Sequence, residues 1–208
     1  MAHRLFAAIY DRMLKSTEEA GLRRMREELL AQARGRTLEL GAGTGLNLEH
    51  YPDEVGELVM TEPDPHMARR LRDRLASEGG DRPTEVVECG AEVLPFEDAS
   101  FDSVVSTLVL CTVDDPHRAI AEAARVLRPG GRLLFLEHVR SDDPGVARWQ
   151  DRLERPWGFL AAGCHPNRAT PATLESSVLE IESLVPGRLP KSPAIVRPMV
   201  TGVAVRPS

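Results

Sequence analysis

The chain has 208 residues and a net charge of −6, with 42% of residues hydrophobic and 28% charged. That is enough chain for one well-filled α/β domain and too little for two, and the acidic balance excludes a broad grip on nucleic acid, which needs a surplus of Lys and Arg to displace counterions from phosphates. The cysteines, Cys89, Cys111 and Cys164, are odd in number and lack the spacing of a disulfide framework or a zinc knuckle.

Leu5 to Tyr10 is apolar but meets Asp11-Arg12 too soon for a signal core or a bilayer span, so the expectation is a cytoplasmic protein without a stable membrane anchor. Phe6, Ile9, Tyr10, Met13 and Leu14 recur at helical spacing. A second helix carries Leu22, Met25 and Leu29 on one stripe, with Ser16-Thr17-Glu18-Glu19 reading as a capping box at its start and Gly35 marking its end. Thr37 to Leu40 reads as a strand that stops in Gly41-Ala42-Gly43-Thr44-Gly45, and only a tight turn uses glycines at alternate positions. A short helical pattern follows through Leu48, Glu49 and His50. Strand, glycine turn and helix in this order let a ligand approach bare backbone, with the amides of the helix start pointing at it. In dinucleotide spacing the third glycine would fall on Leu46. It stands at Gly45 instead, which disfavours a nicotinamide cofactor. Leu58 to Thr61 is the second strand, and Glu62 follows it where an acid holding ribose hydroxyls is expected.

Asp64 caps the next helix with Pro65 at its first position, Met67, Leu71 and Leu75 face inward, and Gly79-Gly80 ends it. Thr84 to Cys89 is the third strand, and Ser103 to Leu110 is the fourth running into its loop. Asp115-Pro116 opens a helix with Ile120, Ala123 and Leu127 inward, stopped by Arg128-Pro129-Gly130-Gly131. Arg132 to Val139 is the fifth strand, and its exit carries Glu137 and His138 at the edge where ligands sit in open parallel sheets. Residues 141–169 show no clear period and hold Trp149, Trp157, Phe159, Cys164 and His165. A long segment of this kind reads as a functional lid, its aromatic rings as an apolar pocket wall. Thr170-Pro171 caps a last helix, and Ile181 to Val185 and Met199 to Val205 are closing strands.

Glu39-Leu40-Gly41-Ala42-Gly43-Thr44-Gly45 followed by Thr61-Glu62-Pro63-Asp64-Pro65-His66-Met67 resembles the class I S-adenosylmethionine-dependent methyltransferases. Ser106 to Cys111, Arg125 to Gly131, Leu136 to Val139, Gly163 to Thr170 and Val196 to Gly202 resemble more closely the small methyltransferase-like group that includes animal alkyl-thiol S-methyltransferases, with quinone-biosynthesis C-methyltransferases more distant. The resemblance implies an α/β, Rossmann-like fold with a seven-stranded, mostly parallel sheet, helices on both faces and the last strand inserted antiparallel. It implies a single domain over 1–208, divided into a helical lid (1–35), a cofactor-binding core (36–140), a substrate lid (141–169) and closing elements (170–208).

The same resemblance implies S-adenosylmethionine as cofactor. Glu39, Gly41, Ala42, Gly43, Gly45 and Asn47 at the turn would hold it, with Glu62, Pro63 and Met67 after the second strand, and Thr107 and Leu108 after the fourth. Phe6 to Met13 is similar to a segment that lids the cofactor in quinone C-methyltransferases, which would put Tyr10 over the sulfonium. In the adenine-side loop Gly90 stands where many relatives have Asp, so adenine falls to the Ala91 backbone with Glu92 as helper. Cys111, Trp157, Asn167 and Arg168 are the substrate-side candidates.

The implied reaction is methyl transfer to a small, largely apolar acceptor, a thiol first. Its alternatives are C-, O- or N-methylation of a quinone, natural product or phospholipid headgroup, or a non-catalytic cofactor-binding protein. A thiol must lose its proton, and His138 or His165 can take it, since a histidine titrates near neutrality. Each also has a structural reading: His138 bonding a backbone carbonyl, His165 capping a turn, and Arg168 pairing with Glu175. Cys111 and Cys164 read as small packing residues, and Cys164, His165 and His138 lack metal-ligand spacing, so no metal is expected. A phospholipid acceptor would favour a basic patch, and Arg23-Arg24-Arg26 is offset by Glu18, Glu19, Glu27 and Glu28. The expected partners are a small-molecule acceptor and, at most, a second copy of the chain.

Overall fold

The structure is a computed structural model that describes residues 11–12, 14–161 and 163–208. Its strands are β1 (Arg36–Leu40), β2 (Glu57–Thr61), β3 (Thr84–Val87), β4 (Phe101–Thr107), β5 (Leu127–His138), β6 (Glu180–Arg188) and β7 (Pro198–Val205). They form one seven-stranded sheet in the order β3-β2-β1-β4-β5-β7-β6. The first five pair in parallel, and β7 lies antiparallel between β5 and β6, as the resemblance implied. Strand order reverses between β1 and β4, which opens a crevice at their carboxyl ends. β1, β2 and β4 are buried on both faces, so the polar residues they carry, such as Glu39, Ser103 and Ser106, are buried as well.

The helices are α1 (Arg23–Leu30), α2 (Pro65–Glu78), α3 (Pro116–Val126), α4 (Pro144–Leu160) and α5 (Thr170–Glu175). One core cluster joins Leu38, Val104 and Phe135 of the sheet to Ile120 and Ala123 of α3. On the other face Met60, Leu134 and Leu136 meet Leu29 and Leu30 of α1 and Leu71 of α2. α2, α3 and α4 begin alike, with an Asp at the N-cap and Pro next: Asp64, Asp115 and Asp143 each accept from backbone N–H groups of the first turn.

Three expectations are corrected. Residues 141–169 do not form an aperiodic lid, because 17 of them make α4. Its period is hidden because the residue it turns inward is polar: the Gln150 amide, fully buried, donates toward the carbonyls of Val139, Pro166 and Ile195 and accepts from the Ser141 N–H. The capping box at Ser16–Glu19 is absent. Residues 14–17 are already helical and run into a π turn, Glu18–Leu22, kinked at Gly21 (φ +141°). Glu18 is drawn instead to Arg26. Thr170 does not cap α5 either; Ala169 holds that position, and the Thr170 hydroxyl is buried without a partner.

Gly202 of β7 sits opposite Phe135 of β5, and a Cβ there would lie 2.5 Å from the Phe135 ring and against the Ser183 carbonyl. Overpacking a closed core costs about 1–3 kcal/mol. Gly202→Ala is therefore expected to lose stability by that amount in denaturant unfolding, with unchanged secondary-structure content.

Candidate active site

The turn after β1 takes the backbone where side chains rarely follow: Gly41, Gly43 and Gly45 have φ of +54°, +59° and +83°. At Gly41 a Cβ would also press on Val109 at 2.9 Å, and at Gly45 on Leu71 at 2.7 Å. Opposite the turn, one Glu62 oxygen accepts from the Gly43 N–H (2.8 Å) and the other from the Asp64 N–H (2.9 Å). A carboxylate offers about four lone-pair sites, so two remain for hydroxyl donors of a ligand. Burial holds this carboxyl above its ordinary pKa, against the pull of those two N–H groups. Met67, in the first turn of α2, is buried beside it, and Pro63 is exposed.

Tyr10 lies outside the described residues. Its neighbour Asp11 is fixed, accepting from the Thr44 hydroxyl of the glycine turn and from the Arg74 guanidinium at 2.9 Å.

Glu39 and Asn47 are not at the surface of the crevice but beneath the turn, each 1% exposed. Glu39 accepts from Asn47 Nδ2 (2.8 Å) and the Tyr51 hydroxyl (2.7 Å). Asn47 Oδ1 accepts from Arg26 (2.8 Å), and the Thr107 hydroxyl accepts from both Arg26 and Asn47. Arg26 therefore is no part of a basic surface patch; its guanidinium is buried and paired with Glu18. Burial raises the Glu39 pKa to about 7 even with these donors in place.

A second buried carboxylate shapes the loop after β4. Glu137 accepts from the Ser106 hydroxyl (2.7 Å) and from the N–H groups of Val109 (3.0 Å), Leu110 (3.1 Å) and Cys111 (3.2 Å). The loop can then carry Leu108 at φ +61°, a conformation that is strained for a branched side chain. Burial lifts Glu137 to about 7 as well. The sequence showed Glu137 only as a strand-end acid; the signal for its role is a carboxylate at an apolar strand's last turn beside a loop rich in free N–H groups.

In the loop after β3, Ala91 is buried, and Glu92 accepts from the Asp114 N–H (2.9 Å), tying the loop at Gly90 to the one after β4. His138, next in β5, is 7% exposed, and burial lowers its pKa to about 4 despite a bond to the Val196 carbonyl. Its Nδ1 has no partner. The imidazole is thus neutral with a free nitrogen at the sheet's carboxyl edge.

The other candidates gather under α4. Cys111 and Cys164 are in mutual hydrogen-bonding contact, both thiols free; the pairing pushes Cys111 well up and pulls Cys164 down. The Trp157 indole N–H faces the Cys164 thiol without forming a well-aligned bond. The His165 N–H donates to the Cys111 carbonyl (2.7 Å), and its ring Nδ1 meets Glu154 at 2.8 Å. Asn167 donates to Asp151, and Arg168 donates to the Val113 carbonyl (2.8 Å) rather than pairing with Glu175. An open cleft of about 470 Å³ lies here, lined by Asp114, His117, Glu154, Asn167 and Arg168 among others. The expected apolar wall loses two members: Trp149 is 55% and Phe159 88% exposed. Among the described residues no cluster of His, Cys, Asp and Glu is arranged to hold a metal ion.

The methyltransferase domain family matches residues 38–135. Thiol S-methyltransferase TMT1A of Homo sapiens is 32% identical over 204 residues, covering 97% of this chain and 83% of its own. Phosphatidylethanolamine N-methyltransferase of Cereibacter sphaeroides is 31% identical over 179 residues, 86% of each chain. Among solved structures, geranyl diphosphate methyltransferase in complex with SAM shares the fold at a TM-score of 0.70 and 18% identity, over 90% of this chain and 85% of that one.

The buried acids and His138 set opposing pH dependences. Glu39 and Glu137, raised from 4.5 to about 7, stabilise the fold below their unfolded pKa and lose that contribution as pH rises through about 7. His138, lowered from 6.5 to about 4, contributes above 6.5 and loses it as pH falls through 4. Between pH 4.5 and 6.5 the raised carboxyls, Glu62 among them, keep protons that the unfolded chain has released and outnumber the lowered imidazoles of His138 and His50, so stability is expected to fall as pH rises. Glu39→Gln removes one of those carboxyls. Thermal melts at the two ends of that window should show the parent's midpoint dropping more than the variant's.

Proposed function

The chain belongs to the class I S-adenosylmethionine-dependent methyltransferase family, and from that premise we propose that it moves the cofactor's methyl group to the sulfur of a small, largely apolar thiol. The observation that carries the thiol is the likeness to the human thiol S-methyltransferase, which runs through nearly the whole chain and so includes the segments after β5 that would meet an acceptor.

Bound S-adenosylmethionine supplies a methyl group already activated on a sulfonium. The protein's part is then to hold the acceptor in line and see its proton removed. Glu62 would take the ribose hydroxyls on its remaining lone pairs, the Gly41–Gly45 turn the amino-acid end, and the Ala91 backbone the adenine. Glu39, Asn47 and Arg26 support the turn from below. Glu137 fixes the loop from Val109 to Cys111 over the crevice, and it acts by positioning that loop.

His138 is the better placed of the two histidines. His165 is committed to Glu154, whereas His138 keeps a free Nδ1. With a pKa of about 4 it stays neutral near neutrality and would accept the hydrogen bond of an S–H brought against this buried nitrogen, the proton then leaving with solvent as the product departs. The S–H bond breaks, the thiol sulfur bonds to the methyl carbon, and the bond from that carbon to the sulfonium breaks, leaving a thioether product and demethylated cofactor.

A second reading, N-methylation of an amine headgroup, is favoured by the likeness to the bacterial phosphatidylethanolamine enzyme. Purified protein given methyl-labelled cofactor with thiol and amine acceptors in competition distinguishes them: label on sulfur supports the first reading, label only on nitrogen replaces it.

His138→Phe is expected to lower kcat by roughly a hundredfold, the smaller end of general-base effects, with little change in the affinity for demethylated cofactor. More acidic thiols, which need less help to ionise, should lose less. An equal loss for thiols of high and low pKa would remove His138 from proton transfer. Glu62→Ala, by contrast, should weaken binding of demethylated cofactor in calorimetry by about tenfold or more, the worth of a charge-assisted hydrogen bond pair.

A further inference from the structure

α4 turns one side to the protein and leaves the other without a partner. Its inner side carries Ala147, Gln150, Glu154 and Trp157. At about 100° per residue, its outer residues Arg148, Arg152, Arg155, Pro156, Phe159, Trp149 and Leu160 share an arc of about 140° that holds no acid. The arginines lie toward one flank with Phe159 among them, and Pro156, Trp149 and Leu160 lie toward the other. Phe159 is 88%, Leu160 68% and Trp149 55% exposed. Arg152 stacks its guanidinium on the Trp149 ring at 5.6 Å, and none of the three arginines pairs with a carboxylate among the described residues. Asp151, at the arc's edge, is already neutralised by Arg140.

We propose that this face of α4 docks reversibly on anionic lipid bilayers. Three unpaired guanidinium groups on a chain of net charge −6 form a local reversal of sign, which suits a surface of negative phosphates. Trp, Phe and Leu side by side with Arg are the side chains that settle at the boundary of headgroup and acyl chain, rings inserted and guanidinium groups reaching back to phosphate. An acidic protein partner would match the arginines but gives no reason for Phe159 and Leu160 to stand so far into solvent. No helix among the described residues is long and apolar enough to cross a membrane, so the contact lies in the interface plane. It is independent of which acceptor the enzyme uses.

Co-sedimentation of the full chain with phosphatidylcholine vesicles, with and without phosphatidylglycerol, tests the proposal. Expected is pelleting with the anionic vesicles, weakened by high salt, accompanied by a blue shift of Trp149 emission. The triple variant Arg148→Gln/Arg152→Gln/Arg155→Gln should bind on the order of a hundredfold less tightly. Phe159→Ser, made separately, should weaken binding about tenfold. Both variants should keep the parent's melting temperature and its turnover of a soluble acceptor, since no altered residue touches the crevice. Equal pelleting with neutral vesicles, no pelleting with anionic ones, or parent-like binding by the triple variant would overturn it. So would a face that instead joins two copies, seen as a dimer in sedimentation velocity that the triple variant breaks without any vesicle binding.

Discussion

Carboxylates buried at the carboxyl ends of parallel strands organise everything around the crevice. Glu39 is the last residue but one of β1, Glu62 follows β2, Glu137 is the last but one of β5, and each is at most 7% exposed. A buried carboxylate without donors is untenable, so each recruits N–H or O–H groups from the neighbouring loop. Glu62 takes the glycine turn, Glu137 the loop after β4, and Glu39 the segment from Asn47 to Tyr51. The loops lose their freedom in meeting this demand, and the crevice is shaped before any ligand arrives. That is the preorganisation a displacement reaction needs, since nearly all the protein can contribute is alignment.

The arrangement is held at the cost of desolvating its members. Glu39 and Glu137 keep pKa values near 7 although two and four donors respectively point at them. Desolvation therefore exceeds the sum of the hydrogen bonds, and the neutral form is the stable one over part of the physiological range. Fold stability and loop geometry pull on the same carboxyls. A hydrophobic residue at 137 would pack more cheaply, but the N–H groups of Val109, Leu110 and Cys111 would then lack an acceptor and Leu108 would have no reason to hold its strained backbone.

How much of this was legible in the sequence depends on whether the signal was backbone or side chain. The glycine turn and the Asp-Pro starts of α2 and α3 follow from local chemistry that few other conformations satisfy, whereas the mostly parallel sheet was implied by the family resemblance. Asp143-Pro144 carries the same signal for α4, but Gln150 at the inward position and Pro156 further on erase the apolar period that would have continued it. Arg26 was obscured by its neighbours: among Arg23, Arg24, Glu27 and Glu28 it reads as one more surface charge. Only the kink at Gly21, which turns α1 so that Arg26 points under the glycine turn, distinguishes it. Burial of a charge is a tertiary fact, and spacing along one helix does not encode it.

The likeness to both sulfur- and nitrogen-methylating relatives has a physical basis in the division between strands and lids. The cofactor half is built from strand ends and their carboxylates, and it serves any acceptor equally. The half proposed to meet the acceptor comprises β5's exit, the inner side of α4 and the segment from Gly163 to Thr170, and there the polar accounting is incomplete. The buried side-chain polar atoms left without a partner among the described residues are His138 Nδ1, Trp157 Nε1, Arg168 Nε and Thr170 Oγ1, and every one of them lies in that half. A region shaped for stability alone would have paired such atoms or replaced them with apolar groups. Unpaired donors and acceptors are the means by which a site tells one acceptor from another, because the wrong partner leaves them unsatisfied. On the reading proposed above, acceptor choice rests on these four side chains, of which Trp157 and Arg168 lie within residues 141–169, and the methyl donor's grip rests on the sheet.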